Sequence, residues 1–311
     1  MDQIKLKQNA RMRLCSGIEP AIPLVYQVDS DQLPSQTYII ESKGALKILL
    51  EPWLVGAGLA NSARESTVDF LRIAYHIVPE LRETNFSDIT EVVPLAGALY
   101  YSTAEAFELA FGETINRCFI GAKRFPSPLG WVTELSYKNF EALPEKPLVI
   151  IGDTIATGGT IEGILDATLA QETEVKAIVI YSIAGGVLGC ARLKRFENRA
   201  NIPLYVFFSN AIFGVESNGT DMPWLHPATI VSNELLDLAT STYGTDLGRR
   251  WCSIWDWGDR SKHPLKHLNE LLARCDSELS KNPEPNTEHV LKRIIAEATE
   301  ALERWNSAPK L

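Results

Sequence analysis

The sequence lacks the cysteine pairs that would staple a fold or hold zinc. Its five cysteines, Cys15, Cys118, Cys190, Cys252 and Cys275, are scattered and odd in number, with no C-x-x-C pair. That spacing speaks against a disulfide framework and a cysteine zinc site, and favours a reducing cytoplasm as the compartment. The five histidines are equally dispersed and show no metal-ligand spacing. Positive charge is also short: 30 Lys and Arg stand against 39 Asp and Glu, for a net charge of -9. Nucleic acid and anionic membranes both call for positive surface, so neither is an expected partner. An anionic substrate would have to be met by a local cluster of cations or backbone N–H groups. No apolar run approaches transmembrane length, and the opening MDQIKLKQNARMRLCSG has no apolar core like that of a signal peptide. No internal repeat is visible.

What is present is an ordinary soluble composition, 45% apolar and 22% charged over 311 residues, enough for one large domain or two modest ones. From residue 91 to 210 short apolar runs alternate with amphipathic segments. EVVPL (91–95) reads as a buried strand and STAEAFELAF (102–111) as a helix. NRCFIGAKRF and WVTELSY read as strands around the Pro/Gly loop PSPLG. PLVII, VKAIVIYSI and PLYVFF read as strands, TIEGILDATLAQ and VLGCARLKRF as helices. Continuous apolar strands divided by helices imply an α/β fold with a parallel sheet covered on both faces. ESTVDFLRIAYHIVPEL (65–81) reads as a helix preceded by a less regular segment, and LKHLNELLARCDSEL and EHVLKRIIAEATEALERW read as two C-terminal helices.

One stretch carries the functional argument. KPLVIIGDTIATGGTIEGIL (146–165) is a strand, a Thr/Ala/Gly loop and a helix. The loop falls at the carboxyl end of a parallel strand, where open α/β sheets bind ligands. Gly158 and Gly159 let the backbone turn and leave room for a group close to the main chain. The helix beginning near Thr160 points its free N–H groups and positive dipole end into the loop, and Thr157 and Thr160 add hydroxyls, which suits a phosphate monoester. Asp153 is placed to accept hydrogen bonds from sugar hydroxyls beside that phosphate. An ordinary βα turn would share these residue types. The stretch is not a P-loop, because the required lysine is missing, and its glycines are wrongly spaced for a dinucleotide fingerprint. GAGLAN (56–61) comes nearer to that fingerprint but lacks its third glycine.

VIIGDTIATGGT resembles the phosphoribosyl pyrophosphate (PRPP) motif of the type I phosphoribosyltransferases: a hydrophobic strand, two acidic positions and a Thr-Gly-Gly-Thr loop. The resemblance implies that family's fold, a central mainly parallel sheet with helices on both faces plus a hood and here a C-terminal helical extension. It implies that Thr154, Ile155, Ala156, Thr157, Gly158, Gly159 and Thr160 bind the phosphate of PRPP. Asp153 would be the catalytic carboxylate, holding ribose hydroxyls and lying near Mg2+, through water where it does not touch the ion. The first acidic position is Gly152 here. VVPLAGALYYS (92–102) resembles the pyrophosphate loop of the uracil phosphoribosyltransferases, with Ala96 and Gly97 matching and Leu95 where that branch has arginine. CSIWDWGDRSKHP (252–264) is similar to the branch's base-binding Gly-Asp-x-Gly-Asp-Arg, which implies that Trp255, Asp256, Trp257, Gly258, Asp259 and Arg260 meet the base. Order along the chain makes Lys123, Arg124 and Lys138 candidates to approach pyrophosphate, with Arg124 the strongest; each could also be plain surface charge.

The implied division is residues 1–89 as an N-terminal segment and helix contributing to the hood, 90–265 as the phosphoribosyltransferase core with an insertion near 213–250, and 266–311 as a C-terminal helical extension. The implied partners are PRPP, a small base and a second copy of the chain in a cytoplasmic homodimer. Transfer of ribose-5-phosphate to a uracil-like base is the leading expectation. Two alternatives stay open: a catalytically weak PRPP or nucleotide-binding regulator, favoured by Gly152 and Leu95, and a transferase for another heterocycle, favoured by Trp224, Trp251, Trp255 and Trp257 as aromatic walls.

Overall fold

The structure is a computed structural model, and it describes residues 2–16, 23–127, 130–251 and 257–307. The strands among these are β1 (Arg11–Leu14), β2 (Val25–Asp29), β3 (Gln36–Ile40), β4 (Ile89–Leu95), β5 (Asn116–Ser127), β6 (Gly130–Asn139), β7 (Leu148–Gly152), β8 (Ala177–Ser182), β9 (Gly185–Gly186), β10 (Leu204–Ser209), β11 (Ala211–Phe213) and β12 (Ile230–Val231). The α-helices are α1 (Gln3–Asn9), α2 (Lys43–Leu50), α3 (Gly56–Ile77), α4 (Pro79–Glu83), α5 (Thr103–Phe111), α6 (Gly159–Leu169), α7 (Val187–Ala200), α8 (Asn233–Arg250), α9 (Trp257–Lys262), α10 (Pro264–Leu279) and α11 (Pro285–Ser307).

Nine strands form one sheet in the order β1-β2-β3-β10-β8-β7-β4-β5-β6. Neighbours from β3 through β5 run parallel, while β1, β2 and β6 join antiparallel at the edges. The pleat explains why the central strands are apolar at every position: alternate residues enter two different cores. On β7, Leu148 and Ile150 pack with α3 and α5, whereas Val149 and Ile151 pack with α6 and α7. Tyr181 and Phe207 face the first core from β8 and β10, Ile180 and Val206 the second. The expected architecture, a mostly parallel sheet with helices on both faces, is the one observed.

Two regions hold more order than their sequence suggested. The segment before residue 65 contains β1, β2 and β3, and β3 runs parallel to β10, so the first 89 residues extend the central sheet as well as supplying α3. The stretch GAGLAN (56–61) forms the first turns of α3 and belongs to no nucleotide loop. The insertion near 213–250 contributes β12 and α8. Helices α10 and α11 bury Leu268, Leu271, Val290, Leu291 and Ile294 in the same core as α3.

Candidate functional site

The β7–α6 connection is held from behind. Asp153 donates its N–H to the Tyr181 carbonyl at 3.0 Å, and Ile155 donates to Ala184 at 3.2 Å. The carbonyls of Ile155 and Ala156 accept from Gly186 and Gly189 at 2.6 and 2.9 Å. The start of α7 therefore fixes the loop through its carbonyls. The N–H groups of Thr157, Gly158, Gly159 and Thr160 have no acceptor among the described residues. Four amides converge at the N-terminus of an 11-residue helix, which is the arrangement an anion fills. Thr133 on β6 reaches this loop, its Oγ1 lying 3.1 Å from that of Thr160.

Gly158 sits at φ +78°, as the turn requires. The expected room beside it is absent: a Cβ there would lie 2.9 Å from Gly189 Cα and 3.1 Å from its carbonyl oxygen. The glycine thus permits close packing of the loop on α7. Arg192 on α7 stands by the same loop, with Nη1 2.9 Å from where a Cβ on Gly159 would be, and its Nε pairs with Glu162 at 3.2 Å. Nothing in the motif points to it, because α7 follows only after strand β8.

A cavity of about 310 Å3 adjoins the loop. It gathers Pro94, Leu95 and Gly97 from the end of β4, Ala122 and Arg124 from β5, and Asp153, Thr154, Ala156 and Thr160 from the motif. Thr220 and Met222, in the segment between β11 and β12, and Trp257, first residue of α9, complete the wall. Thr220 and Met222 were not foreseen, and neither was Trp131, whose indole N–H donates to the Asn218 carbonyl at 3.0 Å and ties β6 to that segment. The Arg124 guanidinium lies over the Trp131 ring at 4.8 Å. Alternation along β5 sends Lys123 to the opposite side from Ala122 and Arg124, and neither Lys123 nor Lys138 lines the cavity.

Asp153 is the one carboxylate among the described lining residues. Burial raises it to about 7, against the opposing pull of the Thr154 N–H on Oδ1 at 2.8 Å and of the Arg124 charge. Beside it, Gly152 has a specific neighbour. A Cβ on Gly152 would lie 3.0 to 3.1 Å from Cδ1, Cγ and Cβ of Tyr101. Tyr101 is fully buried, accepts the Ile183 N–H at 3.1 Å, and sits 3.5 Å from the Thr154 hydroxyl. The space next to the missing first carboxylate is filled by an aromatic ring.

The stretch expected to meet a base divides. Trp255 and Asp256 lie outside the described residues. Trp257 lines the cavity and packs on Tyr101 with ring centroids 5.6 Å apart. Gly258, Asp259 and Arg260 do not line it. Asp259 pairs with Lys266. Arg260 is fully buried and donates to the carbonyls of Ile48, Glu51 and Leu54 at 2.8 to 3.0 Å, closing the C-terminus of α2. Its expected place at a base edge is corrected to a structural one. Trp224 and Trp251 are buried in the main core and do not line the cavity either. In the stretch expected to meet pyrophosphate, Gly97 lines the cavity and Ala96 does not.

No protein-family model matches the chain, and no curated protein matches it. Several solved structures are similar. The AQ2163 protein from Aquifex aeolicus is 18% identical, over 59% of this chain and 91% of that one, with a TM-score of 0.47. A hypoxanthine-guanine phosphoribosyltransferase from Bacillus anthracis is 15% identical over 40% and 68% of the two chains, with a TM-score of 0.30. The adenine phosphoribosyltransferase from Saccharomyces cerevisiae is 16% identical over 66% and 96%, with a TM-score of 0.30.

Proposed function

We propose that the chain is a PRPP-dependent phosphoribosyltransferase, a pentosyltransferase that passes ribose-5-phosphate to a planar nitrogenous base, with a uracil-like base favoured. The observation that carries this reading is a small pocket at the loop of four free amides beside a larger cavity that shares Arg124, Thr154, Ala156 and Thr160 with it and adds one carboxylate and an aromatic wall. A ligand that fits all four features has a phosphate, a hydroxylated sugar, a second anionic group and a flat ring.

In the reaction the bond from C1 of ribose to pyrophosphate breaks, and a bond from C1 to a ring nitrogen forms as that nitrogen loses its proton. The chain's task is positioning and electrostatics. The amides of 157–160 hold the 5′-phosphate. Asp153 accepts a sugar hydroxyl. Arg124 meets the departing pyrophosphate, and Gly97 lets the end of β4 approach it. Met222 and Trp257 exclude water from the reacting carbon. No cluster of three or more metal-ligating side chains exists among the described residues. Magnesium would enter as part of the substrate and offset the charge of the leaving pyrophosphate, with Asp153 as the carboxylate that would stand beside it.

One observation favours a second reading, a PRPP-binding regulator. Tyr101 closes the space at Gly152, and Leu95 stands in the cavity where a cation would assist pyrophosphate. Incubation with PRPP, Mg2+ and a panel of bases separates the two. Pyrophosphate release with any base supports the transferase. Tight PRPP binding with no release for any base replaces it with the regulator.

A further inference from the structure

The hairpin of β5 and β6 has two faces of different character. Strand register puts Ala122, Arg124, Thr133 and Leu135 on one of them. That face is occupied: Thr133 meets Thr160 at the start of α6, and Leu135 packs on the core beneath that helix. Gly121, Lys123 and Phe125 point from β5 to the other side, across from Tyr137, Glu134 and Val132 of β6. A register shift beside Gly121 leaves Ser136 out of the ladder and turns Tyr137 to the glycine's side, where a Cβ on Gly121 would lie 3.0 Å from Tyr137 Cβ. Phe125, Val132 and Tyr137 are 38%, 42% and 51% exposed and belong to neither hydrophobic core. The inner strands of the sheet are covered on both faces, whereas its outermost pair carries three large apolar side chains in the open.

The two charges on this face select its occupant. Lys123 and Glu134 stand opposite each other across the strands, and neither takes part in an ion pair among the described residues. A partner charged with one sign would satisfy one of them and repel the other. A second copy of the chain satisfies both. We infer that this face is a self-association surface, through which two copies form a two-fold dimer with Lys123 of each paired to Glu134 of the other. A two-fold axis along the hairpin, midway between its strands, lays β5 of each copy over β6 of the other. Cross-strand neighbours then become neighbours across the interface. Lys123 meets Glu134, Phe125 meets Val132, and Tyr137 covers the space that Gly121 leaves open. The apolar side chains supply the attraction, and the two charge pairs fix the register and exclude other partners. Arg124 and Thr133 reach the candidate site from the reverse side of the same strands, so the inference stands apart from what that site binds.

The test is sedimentation equilibrium on the full chain at micromolar concentration. The wild type should show twice the 34.5 kDa mass of the chain. Lys123→Glu and Glu134→Lys each turn two attractions into two repulsions, and each should weaken the dimer roughly tenfold or more with Tm unchanged. An equimolar mixture of these two variants should dimerise again, because one copy then offers two acids where the other offers two lysines. That recovery also shows that neither variant lost its fold. Phe125→Asp should weaken the dimer as well, and mixing it with either charge variant should restore nothing. A monomeric wild type overturns the inference. So does a dimer that both charge reversals leave intact, which would put the interface on another surface. Two monomeric charge variants whose mixture stays monomeric also overturn it, because the pairing of Lys123 with Glu134 would then be wrong.

Discussion

The two ends of the candidate site are built in opposite ways. The phosphate end is one unbroken stretch, 153–160, whose geometry follows from a strand, a turn and a helix in sequence. The far wall is assembled from the end of β4, one side of β5, the segment between β11 and β12, and the first residue of α9. The first is fixed by local backbone rules, the second by topology. Mutations should therefore act differently at the two ends: near the loop they remove ligand binding, and near α9 they can fall on residues whose work is structural.

Arg260 offers the strongest way to break that comparison. It follows Trp257 by one helical turn, yet its guanidinium holds the carbonyls of Ile48, Glu51 and Leu54. Arg260→Met removes a buried cation and strands those acceptors, a change that costs about 3 kcal/mol or more. Urea unfolding should show that loss, while phosphate affinity of the folded fraction stays at the wild-type value. A selective loss of base or phosphate binding with normal stability would return Arg260 to the site.

Gly158 tests the other end with a somewhat smaller effect. Alanine there must adopt positive φ and meets the backbone of Gly189. The cost is about 1–3 kcal/mol of strain, relieved by shifting the loop. Inorganic phosphate binding should be lost, with Tm lowered but cooperative unfolding kept. Unchanged phosphate affinity would remove the loop from the site.

These cases show what was legible in the sequence and why. The sheet core and the backbone geometry of the β7–α6 loop could be read because alternation of apolar strands with helices, and four free amides at a helix start, are local consequences of residue order. Strands β1 to β3 could not, because these short runs become part of the sheet only when β3 pairs with the distant β10 and β2 and β1 add to β3 in turn. Thr220 and Met222 were hidden for the same reason, since nothing near them in sequence says that the chain folds back over β6. The stretch around Trp257 was half legible: Trp257 reaches the cavity, but a buried Arg three residues on looks identical in sequence to one that meets a ligand. Gly152 was read as a lost carboxylate; the reciprocal gain, Tyr101 in that space, lies far away in sequence and on another element.

Within β5 the comparison narrows to adjacent residues. Arg124 lines the cavity and Lys123 faces away. Arg124→Ala should weaken PRPP binding by roughly ten- to a hundredfold, the range for one charge-assisted hydrogen bond, while Lys123→Ala stays within about twofold. Comparable losses from both would mean that the hairpin moves as a unit over the ligand and that strand alternation does not set the contact.

Asp153 gives the smallest and most diagnostic effect, because it is read through pH. Burial raises its carboxyl from the usual carboxylate range to about 7, so the folded chain holds a proton there that the unfolded chain has released. Between about pH 4 and pH 7 the folded state binds more protons than the unfolded one, and this group's contribution to stability falls as pH rises through that window, then stays flat above it. Asp153→Asn imitates the protonated form at every pH. Its Tm should match the wild type near pH 4.5 and exceed it by a few degrees at pH 8. Affinity should move the other way: PRPP with Mg2+ calls for the ionised carboxylate, so wild-type binding should strengthen from pH 6 to pH 8 with release of a proton, and the Asn variant should bind more weakly and without that slope. The opposed signs are what identify a ligand-facing carboxylate, since a structural one would gain or lose in both measurements together. A wild-type Tm that rises relative to the variant between pH 5 and pH 8 would mean that a partner stabilises the ionised form of Asp153 in the empty site, and its assignment to the sugar would have to be given up.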